Sequence, residues 1–521
     1  MNRVTTQVTL LLASVMLKLR SNVKFNNSYT NRLLVLFAQT QESNPNVFLS
    51  KLTLRSTAVS VMAAIWLAGC MVGPDYVKPS APVPEAYKET ENWKSAEPKD
   101  NQPKGAWWEI YQDPVLNGLM QKVSVSNQNI IAAEAQYRQA RALVDAAQAG
   151  LFPNLNLDAA SGKGGAVSNK FQSTSLSASW EPDLWGGIRR SVEANKANAQ
   201  ASAASLEGAL LSTRSTLAQS YFQLRITDVQ KQMYDDTVEA YKKSLKITEN
   251  QFKMGVASQL DLSEAQTLLQ STEALAIDIN VTRAQLEHAI AVLVGESPSK
   301  FSLPPEKIEF SNDTNSYVSS VAHVLNHLAP VPPGLPAHLL ERRPDIASAE
   351  RLMNAANAKI GVAQAAFFPT PMISASGGYQ SAVLPNLISA PNKVWAIGPS
   401  AALAVFDGGA RQAAKQQANA AYDQSVASYR QTVLSAFQNV EDNLVAVKLL
   451  ETEIVKQTQA VGSARRATRI ALNQYKAGIV NYLTVVTNQV TQLNNERILM
   501  TLQNRRISAH ISLIVALGGN W

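Results

Sequence analysis

The sequence predicts an α+β membrane protein in which one helix–strand–strand–helix unit is used twice, giving four membrane strands and a long helical body. Three observations carry this reading. Two long spans lack proline, short segments between them alternate apolar with polar residues, and the second half repeats the first at a fixed offset.

The proline pattern comes first. Of the 23 prolines, none falls between Pro182 and Pro298 and none follows Pro399. An interior proline breaks a helix, so both spans permit very long ones. Leu206, Leu210, Leu217, Tyr221 and Leu224 form one apolar stripe at heptad-like spacing, and Val426, Tyr429, Val433, Val440, Leu444 and Val447 form another. A helix from about Ile188 to Phe252 would reach roughly 95 Å at ~1.5 Å per residue, which suits a coiled-coil tube or strut and exceeds a globular domain. Trp107-Trp108 and Asp113-Pro114 introduce an Ala/Gln-rich helix expected to run to about Gly150.

The alternating segments come next. Leu155, Leu157 and Ala159 alternate with Asn154, Asn156 and Asp158; Leu176, Ala178 and Trp180 alternate with serines. The second half repeats this at Ile373 and Ala375, then at Ile397, Ala401, Leu403 and Val405. Each run approaches the ~9–11 residues of a transmembrane strand with one apolar and one polar face. A soluble sheet edge packed on helices is the alternative, but each hairpin sits at the far end of a very long helix with little to cover it.

The repeat ties these together. Residues 250–256 (Asn-Gln-Phe-Lys-Met-Gly-Val) answer residues 473–479 (Asn-Gln-Tyr-Lys-Ala-Gly-Ile), and at the same offset Leu260 falls on Leu483, Gln266 on Gln489, Arg283 on Arg506 and Gly295 on Gly518. Leu151-Phe152-Pro153 answers Phe367-Phe368-Pro369, and Trp185-Gly186-Gly187 answers Asp407-Gly408-Gly409. A fixed period is a fold-level signal.

Charge and cysteine locate the leader. The net charge is +7, but residues 1–69 hold seven Lys/Arg against Glu42 alone, so the chain from Cys70 onward is nearly neutral and no nucleic-acid partner is implied. Lys51 and Arg55 precede an apolar stretch, Thr57 to Leu67, too short to span a bilayer. Leu67-Ala68-Gly69-Cys70 then reads as a lipobox, with Cys70, the only cysteine, as the lipidated residue. Met71 rather than an acid follows, which fits outer-membrane sorting. One acyl chain holds weakly, so several chains or a second membrane element are needed.

These signals divide the chain into a leader, 1–69, with a lipoprotein signal at 47–69 and no role assigned to 1–46. An extended, proline-rich tether follows at 70–114. The first repeat occupies 115–296 with its β-hairpin at 153–183. A linker spans 297–343, and the second repeat occupies 344–519 with its hairpin at 370–407. Pro344 and Asp345 open the second repeat, proline at the first helical position and an acid in the first turn.

Four strands cannot close a barrel. Open edges cannot face lipid and at least eight strands are needed, so the chain must oligomerise. Three copies give twelve strands, enough for a water-filled channel.

The lipobox, Gly73-Pro74-Asp75-Tyr76, Trp107-Trp108, both Phe-Pro breaks, Arg342-Arg343-Pro344-Asp345 and the two Gly-turn segments resemble the TolC-like outer-membrane efflux factors. Within them the chain is most similar to the lipoprotein branch serving resistance-nodulation-division pumps, over essentially all of 70–519. The resemblance implies a homotrimer with a twelve-strand outer-membrane barrel, a periplasmic helical tunnel and an equatorial belt. It also implies a periplasmic adaptor, an inner-membrane resistance-nodulation-division transporter and passive conduction of small molecules. Gly255, Val256, Gly478 and Ile479 would then be adaptor-docking tips. The family closes its tunnel just beyond the second-repeat glycine, where this chain has Leu483, Thr484 and Thr487; Asp261 and Glu264 are the first-repeat counterparts. No cofactor is implied beyond the lipid on Cys70.

Other classes find less support. His323 and His327 have helical spacing but lie in the linker with no matching acid motif, so no metal site is expected. Asp407-Gly408-Gly409 and Gly162-Lys163-Gly164-Gly165 read as turn glycines and continue into no phosphate loop. No enzyme is expected. The rivals are the outer-membrane component of type I protein secretion and a lipid-anchored periplasmic coiled-coil adaptor.

Overall fold

The computed structural model describes residues 71–79, 105–164, 169–305 and 343–519. Cys70, the leader, most of the linker, and His323 and His327 lie outside the described residues.

Helices dominate. After a 3-10 turn at Trp107–Tyr111 come α1 (Pro114–Ser126), α2 (Gln128–Ala149), α3 (Gly187–Lys253) and α4 (Gln259–Leu293). The second half supplies α5 (Pro344–Ala365), α6 (Ala410–Lys476) and α7 (Tyr482–Ala516). The pairs α2/α5, α3/α6 and α4/α7 have 22, 67 and 35 residues each, so these three pairs are equal in length, while α1 has no counterpart among the described residues. At ~1.5 Å per residue the 67-residue helices span roughly 100 Å.

The strands β1 (Asn154–Gly164), β2 (Asn169–Trp180), β3 (Thr370–Ser381) and β4 (Lys393–Ala402) form one antiparallel sheet in the order β1-β2-β3-β4. Hairpins from both halves thus lie side by side, with β1 and β4 as open edges. β4 stops at Ala402, so Leu403 and Val405, expected in the strand, lie in the coil leading to α6. Gly162 to Gly164, expected in a turn, instead complete β1, where Gly162 makes room for the Phe171 ring 2.8 Å from where a Cβ would stand.

The helix expected to run unbroken to Gly150 divides at Asn127. Its backbone is extended there, its side chain accepts from the N–H groups of Asn129 and Ile130, and its amide donates to the Leu293 carbonyl at 2.8 Å. Asparagine is a strong N-cap, so the break has a local cause. It also gives the end of α4 a partner for an otherwise orphaned carbonyl.

The predicted stripes face the core. Leu217, Tyr221 and Leu224 are buried in one cluster with Trp107, Trp108 and Tyr111, and Tyr429, Val433 and Val440 are buried in a second with Ile346 and Leu513.

The segment read as an extended tether is fastened where it is described. Arg190, 1% exposed, donates to the carbonyls of Val72 (3.3 Å) and Gly73 (3.2 Å) and to Asp75 (2.8 Å). Asn357 donates to the Pro74 carbonyl and Lys78 pairs with Glu350. Gly73 has φ +102° and sits against Gly361, where a Cβ would fall 2.5 Å from the Gly361 Cα. At its far end the segment becomes the 3-10 turn in the core rather than staying extended.

Candidate functional site: sheet faces, junctions and helical tips

The sheet register sorts residues into two faces. One carries the rows Leu155–Ala178–Ala375–Ile397, Leu157–Leu176–Gly377–Trp395 and Trp180–Ile373–Pro399. The other carries Asn154–Ser179–Ser374–Gly398 and Asn156–Ser177–Ser376–Ala396, with Ser177 donating to Asp158 at 3.1 Å. Leu157, Trp395 and Ile397 are over 70% exposed in the single chain. A sheet with one apolar and one serine-rich face can sit between hydrocarbon and water.

Aromatic side chains mark the junction between strands and helices. Trp180 Nε1 donates to the Leu151 carbonyl, and Trp185 Nε1 donates to the Pro369 carbonyl at 2.7 Å while stacking on Phe368. Phe152 is exposed and Phe367 lies under Arg411. Such a girdle is the signature of a membrane–water boundary. Carboxylates lock both helix starts. Asp183 accepts from Ile188 N, Arg189 N and the Arg189 guanidinium, and Asp407 accepts from Gly409 N, Arg411 N and the Arg411 guanidinium. The Arg411 hydrogen bonds hold the Asp407 carboxyl below the usual carboxylate range.

At the opposite end the helical hairpins turn. Gly255 and Gly478 have φ near +73°, a backbone that favours glycine, and open space surrounds both. Val256 N donates to the Gln251 carbonyl and Ile479 N to the Gln474 carbonyl, closing the same Schellman turn in each repeat. Val256 and Ile479 are about 70% exposed, alongside Met254, Leu260 and Leu483.

The remaining predicted residues divide by role. Ser258 caps α4 in a reciprocal box with Asp261, and Asn481 caps α7 by accepting from Thr484 N and Oγ1. Thr487 is exposed and its hydroxyl turns back to the Leu483 carbonyl. Glu264 Oε2 is buried and has no hydrogen-bond partner. Close by, Tyr475 donates to Thr248 and the hydroxyls of Tyr482 and Ser244 are 3.4 Å apart. Burial pushes both phenols above their ordinary value, so they remain neutral.

Two features escaped the sequence reading. One is the Arg190 clasp, whose only signal was a pair of adjacent arginines on one helix. The other is a buried network in which Asp228, 2% exposed at its side chain, lies between Arg225 (3.4 Å) and Arg283 (2.7 Å). Those arginines hold the carbonyls of Pro304 and Leu303, and Glu287 accepts from Leu303 N, so the start of the linker is fixed to α3 and α4.

Residues 119–296 and 335–519, both repeats, match the family described as outer membrane efflux protein. The chain belongs to that family. The cation efflux system protein CusC of Escherichia coli is 29% identical over 463 residues, covering 88% of this chain and 97% of the relative. The toluene efflux pump outer membrane protein TtgC of Pseudomonas putida is 28% identical over 482 residues, covering 90% and 96%. A crystal structure of CusC superposes with a TM-score of 0.76 at 27% identity, covering 87% of this chain and all of the other. This outer membrane efflux protein is therefore an efflux channel of the outer membrane whose helices extend into the periplasm, a transport protein and not an enzyme. The periplasmic-strut reading gives way to it.

Proposed function

We propose that three copies of this chain close a twelve-strand barrel and form the exit duct of a tripartite pump for small molecules, completed by a periplasmic adaptor and an inner-membrane resistance-nodulation-division transporter. The observation that carries it is the sheet: four strands, one apolar face, one serine-rich face and two open edges. Edges cannot remain open in lipid, and twelve strands leave a water-filled lumen. A heat-resistant oligomer from outer membranes that conducts ions in planar bilayers is the expected result. A monomer released without detergent would overturn it. Deleting the gene should sensitise cells to antibiotics, dyes, solvents or metal ions; sensitivity to none, with loss of a secreted protein, would favour type I secretion.

Lipidation of Cys70 fits this placement. Met71 packs on Gly186, beside the girdle, so a lipid on the preceding residue would start at the periplasmic boundary of the membrane. Mass spectrometry of the mature N-terminus tests it, with Cys70→Ser as the control.

Gly255, Val256, Gly478 and Ile479 would dock the adaptor, because both turns present exposed apolar side chains on rigid Schellman geometry. Leu483, Thr484 and Thr487 would line the aperture, with Asp261 and Glu264 supplying its negative charge; repeated around a three-fold axis, such acids favour cations at the mouth.

A further inference from the structure

The four strands hold four charged residues, and their placement is uneven. Asp158 lies on the serine-rich face, whereas Lys163, Lys170 and Lys393 share the parity of Leu157, Leu176 and Trp395 and therefore lie on the apolar face. All three occur toward the hairpin ends of their strands, away from the helices. Lys163 and Lys170 are direct cross-strand partners, and none of the three has an ion-pair partner among the described residues. Like charges directly opposite one another in a sheet are destabilising, because their Cβ atoms stand only ~5 Å apart. The register cannot slip to relieve this, since the Phe171 ring fills the space over its partner Gly162.

Position supplies the missing anion. Lys163 lies nine residues along the strand from Asn154, beside the girdle. At ~3.4 Å per residue and a tilt of ~40° that is roughly 23 Å along the barrel axis, close to the ~25 Å height of an outer-membrane apolar band. Lys163 and its partner Lys170 thus emerge where hydrocarbon ends and the headgroups of the exterior leaflet begin, with Lys393 lower on the same face in the row Ala159–Thr174–Tyr379–Lys393.

The geometry points to a lipid-binding site: Lys163 and Lys170, with Lys393 on the same face, clasp the phosphates of a phosphorylated glycolipid of the exterior leaflet, whose acyl chains lie on the Leu157–Leu176–Trp395 row. A dianionic or paired phosphate neutralises two facing ammonium groups as a single charge cannot. This inference rests on the outer-membrane orientation proposed above.

The test uses full-length protein purified from outer membranes and reconstituted in phosphatidylcholine vesicles containing either bisphosphorylated lipid A or phosphatidylglycerol at equal charge. Lipid retained through detergent exchange is quantified by mass spectrometry. Wild-type protein should keep lipid A in preference, Lys163→Gln/Lys170→Gln should lose at least tenfold, and Lys163→Arg/Lys170→Arg should retain it. Should the double glutamine variant fail to give a heat-resistant oligomer, the single Lys163→Gln variant and the salt dependence of wild-type retention carry the same comparison. Equal retention by wild type and glutamine variants, or phosphatidylglycerol kept as well as lipid A, overturns the site. Conductance is read in the same vesicles. Protein that conducts without preferring lipid A sinks the lipid site alone, and protein that holds lipid A without conducting sinks the duct alone.

Discussion

Ser258 and Asp261 cap one another at the first helical tip: the backbone N–H and hydroxyl of Ser258 both donate to Asp261 Oδ2 at 2.8 Å, and Asp261 N donates back to Ser258 Oγ at 3.1 Å. Asn481 and Thr484 occupy the same places at the second tip: Thr484 N again donates to the cap side chain, but the side-chain bond reverses, with Thr484 Oγ1 donating to Asn481 Oδ1. The carboxylate of the first repeat therefore holds the helix start, in addition to the charge we propose it gives the mouth. The two roles separate by substitution. Asp261→Ala should weaken the tip by about 1 kcal/mol, seen as faster amide exchange over residues 254–262. Asp261→Asn keeps an acceptor and should lose less, while both variants lower the cation preference measured by reversal potential. Unchanged selectivity in both would remove Asp261 from the aperture.

At the tips themselves, Val256→Asp combined with Ile479→Asp places charge on a matching exposed apolar position of each turn. Cross-linking to the adaptor should fall at least tenfold, about 1.4 kcal/mol, with the heat-resistant oligomer intact. Gly478→Ala meets no neighbour and should cost only the left-handed backbone penalty, about 1 kcal/mol. Full cross-linking by the double variant would move the docking surface elsewhere.

Arg190→Met removes the buried guanidinium that gathers Val72, Gly73 and Asp75. Asp75 is largely exposed and can return to water, so the loss should be moderate, about 2 kcal/mol, and local. Limited proteolysis should then cut within residues 71–79 while the hairpin tips stay protected.

Asp228→Asn is the severe case. It removes the buried carboxylate that Arg225 and Arg283 share; Arg283 keeps Glu287 at 3.3 Å, but Arg225 loses its carboxylate in a nearly dry site, and breaking such a buried pair costs ~3–5 kcal/mol. The melting temperature of the oligomer should drop by many degrees, whereas Lys231→Gln, which breaks a surface pair with Asp235, should leave it nearly unmoved.

Much of this architecture was legible in the residues. The first proline-free span, closed by the Gly255 turn, gave α3 as about Ile188 to Phe252 against the observed Gly187–Lys253, and the Gly255 and Gly478 turns were visible because only glycine suits their backbone. The break at Asn127 was harder to see, since asparagine inside an Ala/Gln-rich run is also tolerated in mid-helix and only its bond to the Leu293 carbonyl decides the matter. The end of β4 was overread because Leu403 and Val405 continue the alternation after pairing has stopped. Gly162 was underread, since a glycine facing an aromatic ring in a strand resembles a turn glycine until its partner is known. The roles of Asp261 and Arg190 depend on partners in space, and no spacing rule announces them.

The equal helix lengths of the two repeats have a consequence for how the chain can change. A residue added to one 67-residue helix would shift its tip by ~1.5 Å and rotate it by about 100°, out of plane with its counterpart. The corresponding helices begin 216 residues apart before the hairpins and 223 apart after them, so the halves differ by seven residues, and all seven fall within the hairpin region. There the second connection carries two 3-10 turns, Leu384–Asn386 and Ala390–Asn392, between β3 and β4. The whole length difference between the halves thus sits at the end that faces outside the cell, where an added residue displaces no helical tip.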